Sequence, residues 1–194
     1  MSVASWLLLA LALAPVAPLV DVQRALPEVV VDLRYATPDN FTKQRVYPEN
    51  ARCLLRAPVV ERLRAVAKAL HPRGLRLLLW DCYRPRSVQQ RFWQLVPDAR
   101  YVADPKKGSR HNRGAAVDLS LVDDAGHPLD LGSTFDDFSA RAHRDFSGIS
   151  KRAAENRKTL EDAMRAAGFI PLPTEWWHFD ASGWEDLPAA DEPL

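Results

Sequence analysis

The chain has 194 residues, 47% of them hydrophobic and 26% charged, with a net charge of +1. That is enough chain for one domain with a sizeable core, and the balanced charge implies no nucleic acid or anionic membrane as partner. Fifteen prolines argue for a loop-rich α+β protein and against a helical bundle.

Residues 3–20 are apolar, and the first charge is Asp21. Residues 6–14 resemble the apolar region of a secretory signal, and Ala12, Leu13 and Ala14 resemble its cleavage site. No Lys or Arg precedes this stretch, and Pro15 would follow the cut. Pro15 and Pro18 also disfavour a stable spanning helix. The expectation is a removed signal or an N-terminal anchor over 1–20, a domain over 21–185 and a short tail over 186–194. An exported, periplasmic location follows, with a cytoplasmic one as the alternative. No other segment is suited to span a membrane.

Residues 29–35 read as a short strand, and Thr37, Pro38, Asp39 and Asn40 as a turn. Residues 58–70 form a helix, with Pro58 in its first turn and Val59, Leu63, Val66 and Leu70 on one face. Residues 75–83 are a strand apolar enough to be buried on both faces. A second helix covers 87–95, with Ser87 as a possible cap. Residues 96–109 are mostly loop. A strand covers 115–122, and a hairpin turn follows at 123–126. Residues 129–142 are irregular, a third helix covers 152–167 before Gly168, and a last strand covers 176–180. The elements do not strictly alternate. The fold class is therefore α+β, a small antiparallel or mixed sheet with packed helices. Cys53 and Cys82 sit in no C-x-x-C pair, which leaves two readings: one disulfide in an exported protein, or two buried free thiols.

Two short runs carry chemistry. The first holds Ser109, His111, Gly114 and Asp118. The second is Glu175-Trp176-Trp177-His178. Two histidines, an aspartate, an open position for water and a carboxylate to take its proton are the inventory of a catalytic zinc site. Gly114, Ala115 and Ala116 let the chain bend tightly before a strand, so a loop histidine and a strand carboxylate can converge. On a strand, positions three apart face opposite ways, so Glu175 and His178 share a site only if the backbone turns between them. Arg84 lies where a buried strand ends, a place from which a guanidinium can stabilise an oxyanion. Blander readings stand beside each of these. Asp118 can face outward, Glu175 can be solvated, and Arg84 can pair with Asp81 or cap a helix. His71, His127 and His143 read as surface residues.

The runs Ser109-x-His111-x-x-Gly114-x-Ala116-x-Asp118, Glu175-Trp176-Trp177-His178 and Tyr83-Arg84-Pro85, and the segment from Tyr35 to Phe41, occur in the order found in zinc D-alanyl-D-alanine dipeptidases. The chain resembles that family over about residues 30–179. The resemblance implies the D,D-peptidase and hedgehog-like fold, with one zinc ion per chain held at the sheet by His111, Asp118 and His178. It implies Glu175 as general base and Arg84 as the group that polarises the scissile carbonyl. It places Tyr35, Ser109 and Asp136 near the termini of a small dipeptide substrate. Residues 96–109 form a shorter loop than the family pattern, which leaves dipeptide selectivity open. The rivals are a D,D-carboxypeptidase or endopeptidase acting on peptidoglycan stems and, outside the enzymes, a zinc-stabilised binding module.

Overall fold

The computed structural model describes residues 16–194, so the signal expected over 6–14 lies outside the described residues. In chain order the elements are β1 (Leu19–Asp21), α1 (Val22–Ala25), β2 (Val30–Val31), β3 (Leu54–Arg56), α2 (Ala57–Leu70), β4 (Leu75–Asp81), α3 (Arg86–Leu95), β5 (Ala116–Asp123), α4 (Lys151–Ala166), β6 (Phe169–Pro171) and β7 (His178–Ala181). One five-stranded sheet runs β2-β4-β5-β7-β6, and β1 pairs with β3 apart from it. Only β2–β4 is parallel within the large sheet, so the expected mixed sheet with packed helices is what forms.

Leu77, Leu78, Leu79 and Trp80 are all buried, because β4 lies inside the sheet, between β2 and β5, and is covered on both faces. Helix α2 buries Val59, Leu63, Val66 and Leu70 at helical spacing. Helix α4 buries Ala153, Leu160 and Met164, and the Ser150 hydroxyl caps it by accepting from the Ala153 N–H. The two helices contact each other, α2 reaching β4 and α4 reaching β6. Leu63, Leu79, Leu119, Leu160 and Phe179 belong to the single large core that results.

Several expected boundaries shift for physical reasons. The strand expected over 29–35 shrinks to β2, because Arg34–Ala36 form a 3-10 turn whose Tyr35 carbonyl accepts from Val46 and Tyr47. The strand expected from 176 begins only at His178, since the Trp176 N–H bonds the Ala142 carbonyl instead of a sheet partner. Ser87 is not a cap: α3 starts at Arg86 after Pro85 and has no side-chain cap. The boundary expected at residue 20 falls inside β1. The expected tail packs on the body, with the Ala190 N–H donating to the Asn112 carbonyl (2.8 Å) and the Tyr83 hydroxyl to that of Glu192 (3.0 Å). Cys53 and Cys82 form a disulfide that ties the start of β3 to the end of β4.

Candidate active site

Strand register brings the first groups together. Asp118 on β5 lies opposite His178 on β7 and opposite Asp81 on β4. A register shift between Leu79 and Asp81 re-aims the end of β4. His111 sits on a 3-10 turn, His111–Arg113, closed by Gly114 at φ 64°. The left-handed backbone favours glycine there, and a Cβ would lie 2.5 Å from Leu19 Cδ2, so any side chain would also have to displace the end of Leu19.

The three candidate ligand atoms converge. His111 Nε2 lies 3.2 Å from His178 Nδ1, His178 Nδ1 lies 2.9 Å from Asp118 Oδ1, and His111 Nε2 lies 3.4 Å from Asp118 Oδ1. Bonds of ~2.0–2.1 Å to a tetrahedral zinc ion would place ligand atoms roughly 3.3 Å apart, so the donor set fits zinc in type and spacing. All three residues are buried. Burial pushes the Asp118 carboxyl up, but the charge and hydrogen bonds of His111 and His178 outweigh it and hold it well below the usual carboxylate range. Burial works against a charged His178, yet hydrogen bonds to Asp118 and Asp180 raise it to about 10. The outer ring nitrogens are held as well: His111 Nδ1 lies 2.7 Å from the Cys82 carbonyl, and His178 Nε2 lies 3.0 Å from Asp180 Oδ1.

Glu175 belongs to a turn rather than to β7, with the His178 N–H bonded to its carbonyl. That turn is the backbone irregularity that lets Glu175 and His178 share a site. Burial raises the Glu175 carboxyl to about 8; a cation at the neighbouring ligand set would draw it back toward the charged form. Arg84 is buried and stands over the rings of Phe92 (4.8 Å) and Tyr35 (5.4 Å). Its Nε and Nη2 donate to Asp81 Oδ2, and its Nη1 to Gln89 Oε1. The Asp81 pairing foreseen as an alternative is therefore made, and it fixes the guanidinium at the site. Two of its five N–H donors are left over from these three bonds.

Asp136 has a positive φ of 58° and is held by two donors: the Tyr35 hydroxyl at 3.0 Å and the Phe41 N–H at 3.2 Å. Burial raises its carboxyl to about 7. Ser109 Oγ accepts the His111 N–H at 3.2 Å, which leaves its own hydrogen free to donate. All eight residues singled out from the sequence line one cavity of about 130 Å³, together with Trp177. Residues 99–103 of the loop after α3 form part of its wall, and Tyr101 stacks on Phe138 there at 5.0 Å between ring centres.

The family described as Peptidase_M15, D-ala-D-ala dipeptidase, matches residues 16–190. The chain belongs to this family. It is 38% identical over 162 residues to the D-alanyl-D-alanine dipeptidase of Escherichia coli (strain K12), covering 84% of this chain and 83% of that one. It is 34% identical over 169 residues to the D-alanyl-D-alanine dipeptidase of Enterococcus faecium, covering 76% of this chain and 83% of that one. Among solved structures it is similar to VanYB in complex with D-alanine-D-alanine, at a TM-score of 0.43 and 18% identity, covering 69% of this chain and 74% of that one.

Of the supports of this family's site here, sequence reasoning saw only Asp81, as a possible partner of Arg84, and missed its other bonds. Asp81 is fully buried and, besides Arg84, accepts from the Tyr47 hydroxyl at 2.7 Å and the Cys82 N–H at 2.9 Å. Asn112 bridges the Arg84 carbonyl (2.7 Å) and the Ser109 N–H (2.8 Å). Asp180 had a usable signal: two residues beyond His178 on a strand, it shares that residue's face. Of the paired tryptophans, only Trp177 lines the cavity; Trp176 points its Nε1 to the Ser133 hydroxyl.

Proposed function

We propose that the chain is a zinc dipeptidase that hydrolyses D-alanyl-D-alanine to D-alanine. The observation that carries this reading is the convergence, in one small cavity, of three ligand atoms at zinc spacing with Glu175 and Arg84. Membership of the dipeptidase family and the names of its relatives support the substrate.

His111, Asp118 and His178 would hold the ion. Zinc, when bound there, supplies a Lewis acid for the scissile carbonyl and lowers the pKa of water toward ~7. Glu175 takes the proton of the attacking water and returns it to the leaving amine. The leftover donors of Arg84 stabilise the negative charge that develops on the carbonyl oxygen, from a guanidinium fixed beforehand by Asp81 and Gln89. Asp136 pairs with the ammonium of the substrate, and Tyr35 orients Asp136 through its hydroxyl. Ser109 donates its hydroxyl to the substrate carboxylate. Trp177 covers the cavity with apolar surface, which keeps these interactions strong.

The cavity of about 130 Å³ is below the ~300–1,000 Å³ of sites for larger ligands, which favours a dipeptide over a peptidoglycan stem. The test is D-alanine release from D-Ala-D-Ala beside a stem pentapeptide, with zinc and with chelator. Zinc-dependent release from the dipeptide alone is expected. Equal kcat/KM on the pentapeptide would make the chain a carboxypeptidase, and zinc uptake with no turnover of either would make it a binding module.

The export expected from residues 1–20 remains our proposal for location, supported by the Cys53–Cys82 bridge. No helix among the described residues is long and apolar enough to cross a membrane.

A further inference from the structure

We propose that Asp180 is a positioning residue for the metal ligand His178, fixing the ring tautomer that leaves Nδ1 open to a cation. This rests on the zinc reading above. His178 presents its two ring nitrogens to two different carboxylates. Nδ1 lies 2.9 Å from Asp118 Oδ1, inside the ligand cluster, and Nε2 lies 3.0 Å from Asp180 Oδ1, outside it. A neutral imidazole carries one N–H, and its position is set by the acceptors on offer. With the hydrogen on Nδ1 the ring would bond Asp118 and could not bind a metal through the atom that meets His111 Nε2 at 3.2 Å. With the hydrogen on Nε2, Asp180 accepts it and the Nδ1 lone pair faces the cluster. Asp180 thus decides between a ring locked onto Asp118 and a ring ready for the ion.

The surroundings keep Asp180 fit for that task. It is 5% exposed, on β7 in register with Ala116, and two residues from His178 on the same face. Its other oxygen, Oδ2, lies 3.5 Å from Arg110 Nε. Arg110 in turn stands over the Trp184 ring at 4.7 Å, which clamps the guanidinium from the surface side. His111 is treated in parallel, its Nδ1 held by the Cys82 carbonyl at 2.7 Å so that Nε2 faces the cluster. The two ligands therefore use opposite ring nitrogens, and a carboxylate specifies the less usual choice at His178.

The experiment measures zinc affinity by chelator competition for the full chain and for Asp180→Ala, Asp180→Asn and Arg110→Ala. Ring 15N–1H spectra of the zinc-free proteins, recorded above the pH of about 10 at which His178 becomes neutral, report its tautomer. Asp180→Ala should lower zinc affinity by about 10–100-fold and move the ring hydrogen from Nε2 to Nδ1. Asp180→Asn keeps a carbonyl oxygen that accepts the same N–H; it should retain the tautomer and lose less affinity. Arg110→Ala should fall between wild type and Asp180→Ala. Circular dichroism of the zinc-free proteins separates this from loss of fold; should Asp180→Ala not fold, Asp180→Asn and Arg110→Ala decide by tautomer and affinity. Unchanged affinity in both Asp180 variants, or an Nδ1–H ring in zinc-free wild type, overturns the inference. Wild type that binds no zinc overturns the metal reading beneath it instead.

Discussion

Replacing Cys53 and Cys82 together with alanine should destabilise the zinc-free protein by about 3.5 kcal/mol. The bridge closes a loop with a sequence separation of 29. For a loop of that length the chain-entropy relation gives about 12 cal/mol/K, or about 3.5 kcal/mol at 25 °C. A domain of this size shifts by about 2–4 °C per kcal/mol, so Tm should fall by about 7–14 °C. Both cysteines are 1% exposed, so alanine is used to avoid burying a lone hydroxyl, and the lost sulfur contacts act in the same direction. Thermal unfolding is followed with a chelator present throughout, because bound metal would add its own stabilisation. Thiol titration of the unfolded, unreduced wild type should find none. Two titrating thiols, or a fall in Tm of less than about 3 °C, would show that the bridge does not constrain the chain as argued.

Other outcomes follow from the site. His111→Ala or His178→Ala should abolish zinc content and activity together; full occupancy by elemental analysis in both would remove them from the ligand set. Glu175→Gln should keep zinc yet lose kcat by roughly 10²–10⁴-fold, and near-wild-type turnover would rule it out as the base. Burial raises Asp136 to about 7, so in the free enzyme its charge is present above that pH and lost below it. KM for D-Ala-D-Ala should therefore rise as pH falls through about 7, while N-acetyl-D-Ala-D-Ala, which lacks the ammonium, should show no such rise; parallel profiles for the two would refute the ammonium pairing. For export, mass spectrometry of native material should find the first residue between about 15 and 21, and an intact Met1 on a soluble cytoplasmic species would refute it.

What could be read from sequence followed from how local each signal was. The α2 helix and the β4 and β5 strands show their periodicity or apolar run within one segment, and their bounds shifted by only a residue or two. The ligand set was legible because few residue types bind zinc and their spacing brackets a glycine turn. Strand β6 was not, since three residues ending in Pro171 carry almost no pattern and proline argues against a strand except at an edge, which is where β6 lies. Strands β1 and β3 are equally short and pair with each other in a separate two-stranded sheet. The turn at Glu175 was inferred as a requirement, not located, because it depends on Trp176 bonding to residue 142, far away in sequence. Asn112 and Asp180 escaped notice, and Asp81 was seen only as an alternative partner for Arg84, because the roles of all three are defined only once the strands are in register.

Arg56 has a consequence for the order in which this chain can be written. Its buried guanidinium donates to Ala17 (2.7 Å), to Arg113 (3.0 Å) and to Pro188 (3.1 Å), all through backbone carbonyls. One side chain thus holds the first and last stretches of the fold within reach of each other and of the turn that carries His111. The exposed turn at Asp124, Ala125 and Gly126 lies elsewhere along the chain and contributes nothing to the cavity. A gene opened at that turn, with a short flexible linker joining residue 194 to residue 17, would encode the same pocket from a permuted sequence. In such a chain Glu175 and His178 would be synthesised first and Asp118 last, and the metal cluster would close only when the final strand is laid between β4 and β7.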